Sequence, residues 1–239
     1  MGVTFQYRTK SGAVFEVTPT LVSEIDRLTA EVTATLEERG RAGCYLGYLS
    51  VPISSRGGGH FATNIAMAAS IATRVTARFG AKLYVLNPAA YSLPRGATGS
   101  DYMAVWSDVL AGADGQGRTF DLVYFVGPDD VLNFFGASGD DRLGTLERWL
   151  STKATTDPEY DAIVKDAAKC RAFLRYYGIR GSAAFSKGAH DEWNIAMRLN
   201  ALREVGDSIA IYFDGSPIEP GDYDDATSRG TEVPVLHGA

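Results

Sequence analysis

Hydrophobic and polar positions repeat with two different periods along the chain, and each period predicts a different kind of element. Residues 3–7 and 13–17 alternate with a period of two on either side of Lys10-Ser11-Gly12, which predicts a β-hairpin. Leucine, isoleucine and valine then recur at helical spacing, which predicts a first helix over about 18–40. The same spacing predicts further helices over about 62–79, 101–110, 141–152, 158–176 and 186–205.

Four short runs are apolar at nearly every position, and they alternate with the predicted helices. These runs are 44–53, 82–86, 120–126 and 208–213. Continuous apolar runs are typical of strands in a parallel sheet that helices cover on both faces. The sequence therefore predicts a single α/β domain over 1–239, with an N-terminal extension over 1–40 and a more polar helical insertion over about 129–180. The polar tail after Asp214 is predicted to be irregular.

Composition and charge narrow the possible functions. The 239 residues are 45% hydrophobic and 22% charged, which is typical of a globular protein. The net charge of −6 argues against a nucleic-acid polymer as partner, since phosphate backbones bind basic surfaces. Two cysteines and three scattered histidines predict neither a disulfide framework nor a metal site. Without an apolar N-terminal run or a stretch of about 18 apolar residues, we expect a cytoplasmic protein that does not enter the membrane.

Glycine is more frequent than usual, and its positions suggest where a site lies. The chain has 26 glycines in 239 residues, above the average of roughly 7%. Many of them fall at 57–59, at 112–117 and at 188, next to predicted strand ends. Because parallel sheets bind ligands at the carboxyl ends of their strands, we expect these loops to frame a site.

The first candidate for ligand binding is the loop Ser54-Ser55-Arg56-Gly57-Gly58, which joins a predicted strand to a predicted helix. Backbone amides in a glycine-rich loop, serine hydroxyls and a guanidinium group all suit a phosphate, and the helix start adds its positive end. The loop matches neither the dinucleotide fingerprint nor the Walker A motif. A plain glycine turn is an equally good interpretation of these residues alone.

Carboxylates in two predicted helices are candidates for the chemistry. Glu192 is expected in the first helical turn after Ser186 and Gly188, where an ionised carboxylate can act as a nucleophile toward a sugar carbon. From spacing alone, a simple partner of the helix dipole is the commoner role. Asp101 and Asp108 are seven residues apart on one helix face, where either can be a general acid or base, or merely a surface carboxylate.

Three ring side chains near these loops are candidates for holding a nucleobase. Phe61 and Tyr102 can stack on a base, although such residues more often belong to a core. His190 is the one histidine beside the predicted helix start, and it is either a proton relay or a surface residue.

Several short motifs occur in an order that matches a known group of enzymes. They are Tyr48-Leu49-Ser50-Val51-Pro52, Asn87-Pro88, Asp101-Tyr102-Met103, Asp121 before an apolar run, and Ser186-x-Gly188-Ala189-x-x-Glu192-x-x-x-Ala196. Together they resemble the nucleoside 2-deoxyribosyltransferase superfamily over about 44–130 and 183–213. The resemblance implies a flavodoxin-like (Rossmann-like) parallel sheet flanked by helices.

The resemblance also implies roles for individual residues. Glu192 matches the nucleophile, Asp108 or Asp101 the aspartate that handles the base, and Tyr48 a tyrosine of the first core strand. The loop from Ser54 to Gly58, with the helix start at 186–188, is similar to the phosphate site of the nucleoside 5'-monophosphate N-glycosidases.

The activity implied is hydrolysis of the N-glycosidic bond of a nucleoside 5'-monophosphate to free base and sugar 5-phosphate. The implied partners are a small nucleotide substrate and a second copy in a homodimer, with no metal or organic cofactor. Two alternatives stay open. One is a deoxyribosyltransferase that exchanges bases, and the other is a nucleotide-binding or sensing module without catalysis.

Overall fold

A computed structural model describes residues 4–54, 57–218 and 230–233. Its N-terminal part is the predicted hairpin, in which β1 (Phe5–Arg8) pairs antiparallel with β2 (Val14–Val17). A short 3₁₀ turn at Pro19–Leu21 leads into α1 (Val22–Arg41). The buried residues of α1 recur every three or four positions, so the helical spacing in the sequence correctly marked the face that packs inward.

The core is a sheet of five strands, and four of them are the predicted apolar runs. These four are β3 (Tyr45–Ser50), β4 (Leu83–Leu86), β5 (Leu122–Phe125) and β6 (Ala210–Phe213), all parallel to their neighbours. The strand order is β4-β3-β5-β6-β7. The chain first winds from β3 to β4 and then crosses to the other side of β3, which is the doubly wound order of flavodoxin-like sheets. The predicted parallel α/β fold is confirmed.

The last strand, β7 (Ser216–Ile218), was not predicted. It pairs antiparallel with β6 through a tight turn at Asp214 and Gly215, where both residues have positive φ. Its three residues are too few to show a period in the sequence, so the prediction of an irregular tail is wrong for this segment.

The helices cover both faces of the sheet. They are α2 (Phe61–Phe79), α3 (Gly99–Ala111), α4 (Pro128–Phe134), α5 (Arg142–Ala154), α6 (Pro158–Val164), α7 (Ala167–Ile179) and α8 (Lys187–Asn200). The helix predicted over 158–176 is two helices, because the Asp166 side chain caps α7 by accepting hydrogen bonds from two backbone amides. The short α4 was missed.

Helix α8 ends at Asn200, before the predicted limit near 205. The Asn200 amide group forms a pair of hydrogen bonds with the backbone of Ile209, at 2.8 and 3.0 Å. This side chain replaces a backbone partner and turns the chain toward β6.

Two hydrophobic cores lie on opposite faces of the sheet. Tyr48, Val123 and Phe125 pack with residues of α1, α3 and α8 on one face. The alternate strand residues Leu49 and Tyr124 pack with α2 on the other face. The segment predicted as an insertion covers this second face, where its buried residues include Val131, Phe135, Leu146, Phe173 and Tyr177. No helix in the described part of the chain is long and apolar enough to cross a membrane.

The glycine-rich loop at 112–117 lies away from the edge where a site was expected. It leads from the end of α3 to the start of β5, so it is at the amino end of that strand. Its three glycines have φ near +70°, and Gly117 packs against Leu199 of α8. Turn geometry and close packing therefore explain why glycine is so frequent in this loop.

Candidate active site

The carboxylate of Glu192 lies at the carboxyl end of β3, an interior strand of the sheet. Glu192 is only 6% exposed, and both of its oxygens accept hydrogen bonds from hydroxyl groups. Tyr48 Oη donates to Oε1 and Ser50 Oγ donates to Oε2, each at 2.5 Å. The two donors are two residues apart on one strand, so their side chains leave the same face. The structure thus brings the predicted Tyr48 and Glu192 together.

Ser50 was not predicted as a site residue. The available signal was its position two residues after Tyr48 on a predicted strand, which places both side chains on one face. Glu192 itself is the sixth residue of α8, so it lies in the second turn of the helix rather than in the first. Its environment is therefore set by the strand hydroxyls, since the helix dipole acts mainly within the first turn.

Burial raises the pKa values of both Glu192 and Tyr48. Loss of water around the carboxyl group raises the pKa of Glu192 to about 7, although the hydrogen bonds from Ser50 and Tyr48 oppose the rise. Burial and the neighbouring carboxylate raise the pKa of Tyr48 well above its ordinary value, so its hydroxyl keeps the proton that it donates. Near neutral pH both forms of Glu192 are populated, which suits a group that alternates between charge states.

Aromatic side chains pack against the ring of Tyr48. Trp106 contacts the Tyr48 ring edge-on with centroids 6.5 Å apart, and Phe120 does so at 5.8 Å. All three side chains are at most 3% exposed. This packing fixes the tyrosine ring in one orientation.

The residue next to Glu192 anchors the C-terminal part of the chain. The Asp191 carboxylate accepts hydrogen bonds from the backbone and hydroxyl of Thr231 and from the backbone of Glu232, at 2.7–3.0 Å. Glu232 also pairs with Arg198, about two turns further along α8, at 2.9 Å. Residues 230–233 are therefore fastened to the helix that carries the candidate nucleophile.

Asp101 and Asp108 lie on the face of α3 that is turned away from Glu192. At 100° per residue they share one face, whereas Met103 and Trp106 occupy the opposite one. Trp106 contacts Tyr48, and Met103 Sδ lies close to Gly188 of α8. The structure therefore does not bring either aspartate to the candidate nucleophile.

The contacts of the two aspartates tie the N-terminal segment to α3. Asp101 accepts hydrogen bonds from the backbone and hydroxyl groups of both Thr98 and Thr18, which caps α3 and fixes the start of the α1 region. Asp108 accepts from the Lys10 backbone at 2.6 Å and from Tyr7 Oη at 3.0 Å. Burial raises the pKa of Asp108.

Three of the five residues of the predicted phosphate loop can be placed, whereas Ser55 and Arg56 lie outside the described residues. The Ser54 carbonyl accepts a hydrogen bond from Asn64 Nδ2 at 3.2 Å. Gly57 and Gly58 have φ of +83° and +112°, and a Cβ at Gly58 would overlap the carbonyl oxygen of Ala172 in α7. The glycine at 58 is thus required by contact with the helical insertion.

The other predicted phosphate residues lie at the start of α8. Ser186 is the N-cap, and its hydroxyl accepts a hydrogen bond from the Ala189 backbone at 3.3 Å. A Cβ at Gly188 would lie 3.3 Å from Met103 Sδ, so this glycine allows α8 to approach α3 closely. Both positions are on the helix that carries Glu192.

The three predicted base-binding residues differ in their surroundings. Phe61 begins α2 and is 58% exposed, so its ring is free of the core. The Tyr102 hydroxyl accepts a hydrogen bond from the Leu93 backbone at 3.0 Å. His190 Nε2 donates to the Ala184 carbonyl at 2.9 Å, which orients the ring toward the turn before α8. Among the described residues no group of three or more potential metal ligands comes together.

We predict that Gly58→Ala destabilises the protein much more than Gly57→Ala. Both substitutions place alanine at positive φ, which costs about 1 kcal/mol or more. Only the Gly58 variant also forces a methyl group against the backbone of α7, so its loss should exceed that of the control by about 1–3 kcal/mol. Urea denaturation measures both values, and equal losses in the two variants would contradict the packing.

We predict that Glu192→Gln changes how stability depends on pH. Because the folded protein raises the pKa of Glu192 from 4.5 to about 7, it binds a proton that the unfolded chain has lost in this range. The free energy of unfolding of the wild type should therefore fall as pH rises between these values. Glutamine does not titrate, so the variant's relative stability should increase by on the order of 3 kcal/mol across the window.

Urea denaturation of both proteins from about pH 5 to about pH 8 measures the difference. The matched control is Glu38→Gln, which makes the same substitution at an exposed side chain of α1. A difference between wild type and Glu192→Gln that stays constant over this range would contradict the raised pKa.

Comparisons of the chain with family models, with curated proteins and with solved structures gave no match.

Proposed function

We propose that the protein hydrolyses the N-glycosidic bond of a nucleoside 5'-monophosphate, releasing the free base and the sugar 5-phosphate. The observation that carries the proposal is the carboxylate of Glu192, buried at the carboxyl end of β3 with each oxygen held by a hydroxyl group. Ligands bind at this edge of doubly wound sheets, beside the point where the strand order reverses. A fixed and poorly hydrated carboxylate is well suited to attack an electrophilic carbon.

The proposed reaction has two steps, as in retaining glycosidases. In the first, the ionised Glu192 forms a bond to C1' while the bond from C1' to the base nitrogen breaks and its electron pair leaves with the base. The base takes a proton from solvent. In the second, water attacks C1', the ester bond to Glu192 breaks, and the water's second proton returns to solvent, which restores the carboxylate.

Tyr48 and Ser50 orient the nucleophile in this proposal. Each hydroxyl holds one of the two carboxylate oxygens, and both hydrogen bonds favour the ionised form against the effect of burial. We assign no proton transfer to Asp101 or Asp108. The Asp108 carboxylate accepts a hydrogen bond from the hairpin residue Lys10, and the Asp101 carboxylate accepts one from Thr18, just before α1.

The phosphate is assigned to the loop at 54–58 and to Ser186. This part of the proposal is supported by the resemblance of the loop and by its position after β3, at the same edge of the sheet as Glu192. Arg56 would supply the positive charge that a phosphate dianion needs, with the backbone amides of the glycines as further donors.

We predict that a panel of ribo- and deoxyribonucleoside 5'-monophosphates includes at least one that releases free base when incubated with the protein. Chromatography of the products measures the release. Glu192→Gln should lower the rate on the order of 10³-fold or more, because amide nitrogen and oxygen are poor nucleophiles. The control Glu38→Gln changes an exposed side chain of α1 and should leave the rate within about twofold.

The same panel separates the alternatives. Release that requires an added acceptor base would indicate base exchange instead of hydrolysis. Nucleotide binding without any release, unaffected by Glu192→Gln, would favour a binding module. Arg56→Ala should impair cleavage of the monophosphate more than cleavage of the matching nucleoside, and equal losses would remove the phosphate assignment.

A further inference from the structure

One buried tyrosine of the helical segment over 129–180 contacts the loop that joins β3 to α2. Tyr177 of α7 is 1% exposed, and its ring packs against Phe135 and Phe173 with centroids 4.9 and 4.5 Å away. Its Oη accepts a hydrogen bond from the His60 backbone amide at 2.9 Å and donates one to Asn64 Oδ1 at 2.7 Å. The aromatic cluster thus fixes the ring, and the hydroxyl holds the residue at which the loop meets α2.

Asn64 connects this tyrosine to the other end of the loop. The asparagine is fully buried, and its Nδ2 donates to the carbonyls of Ile53 at 3.0 Å and Ser54 at 3.2 Å. Only the Nδ2 side of the amide can donate to these carbonyls, so the group must lie one way round. The proton of Tyr177 on Oδ1 favours that orientation, because the opposite one would set the NH₂ group against the tyrosine hydroxyl and Oδ1 against two carbonyls.

Close packing at Gly59 shows that the two ends of the loop meet beside α7. A Cβ at Gly59 would lie 2.9 Å from the Ser54 carbonyl oxygen, 3.0 Å from Tyr176 Cζ and 3.1 Å from Asn64 Nδ2. The returning end of the loop therefore lies between its own start, the buried amide and a ring of the helical segment. The described ends of the loop are held by α7 and α2 as well as by the strand that precedes them.

We propose that Tyr177 and Asn64 are positioning residues for phosphate recognition, which hold the two ends of the loop in place for the ligand. The proposal rests on the phosphate assignment made above and extends it to the helical segment. A loop that is already held in its binding conformation loses less conformational entropy when the ligand arrives, so it binds more tightly. The helical segment thereby favours the phosphorylated substrate over the nucleoside.

Tyr177→Phe tests this role, because it removes the hydroxyl and keeps the packed ring. Tyr160→Phe is the matched control in the same helical segment. Tyr160 is 7% exposed, and its Oη lies 2.8 Å from Thr63 Oγ1, a side chain of α2. Each variant loses one buried hydrogen bond, so both should melt at a lower temperature than the wild type. A difference between them in phosphate binding therefore reports on the loop and not on general stability.

Titration calorimetry of the full chain with ribose 5-phosphate and 2-deoxyribose 5-phosphate measures the binding, with the two free sugars for comparison. The wild type should bind at least one sugar phosphate more tightly than its free sugar. Tyr177→Phe should weaken this binding at least about fivefold and narrow the difference from the free sugar. Tyr160→Phe should change the affinity for the sugar phosphate less than about twofold.

Equal losses in the two variants, or unchanged binding in Tyr177→Phe, would overturn the proposal. A wild type that does not distinguish the sugar phosphate from the free sugar would overturn it as well. Because binding is measured without turnover, the two proposals can fail separately. Sugar-phosphate binding that depends on Tyr177, without base release from any nucleotide, would leave this inference standing and remove the hydrolase function. Base release with equal effects of both variants would do the reverse.

Discussion

Two hydroxyl groups on one face of β3 hold the buried carboxylate of Glu192, and the arrangement of the candidate site follows from this contact. A carboxylate buried without partners would cost several kcal/mol, so Tyr48 and Ser50 are necessary for Glu192 to occupy its position. The sheet sets the distance between the two donors, because alternate residues of a strand lie on one face. The two hydrogen bonds offset only part of the effect of burial, so the pKa of the carboxyl group is still raised.

Several other contacts serve to hold α8 where this pairing requires it. Asn200 joins the end of the helix to the start of β6, and Gly188 lets its beginning approach α3. Asp191 fastens residues 230–233 to the same helix. The helical segment over 129–180 supports the opposite face of the sheet and reaches the candidate phosphate loop through Gly58. Elements far apart in the sequence thus hold α8 and support the sheet around the candidate site.

The sequence predicted the elements with a long or continuous pattern and missed those without one. The four parallel strands and most helices were correct, because apolar runs and helical spacing report directly on burial. The short α4 and β7 lack enough residues to show a period. The limit of α8 depends on hydrogen bonds between Asn200 and Ile209, a tertiary contact that a local pattern does not contain.

The site shows the same division between local and tertiary information. Spacing correctly placed Asp101 and Asp108 on one face of α3, but the direction of that face is fixed by packing against the hairpin. Ser50 follows Tyr48 by two residues, yet its importance depends on a glutamate 142 positions away. The frequency of glycine indicated two loops near strand ends, at 57–59 and 112–117. It could not show that the first follows the carboxyl end of β3, whereas the second lies at the amino end of β5.

In the proposed reaction Glu192 forms a covalent bond to the sugar, and mass spectrometry can detect this bond. A nucleotide hydrolysed by the protein would be replaced by its 2-deoxy-2-fluoro analogue, whose electronegative substituent slows breakdown of the intermediate. We expect the protein to gain the mass of the fluorinated sugar phosphate, and we expect peptide mapping to locate the addition at Glu192. An addition at another residue, or base release from the analogue with no addition at all, would contradict it.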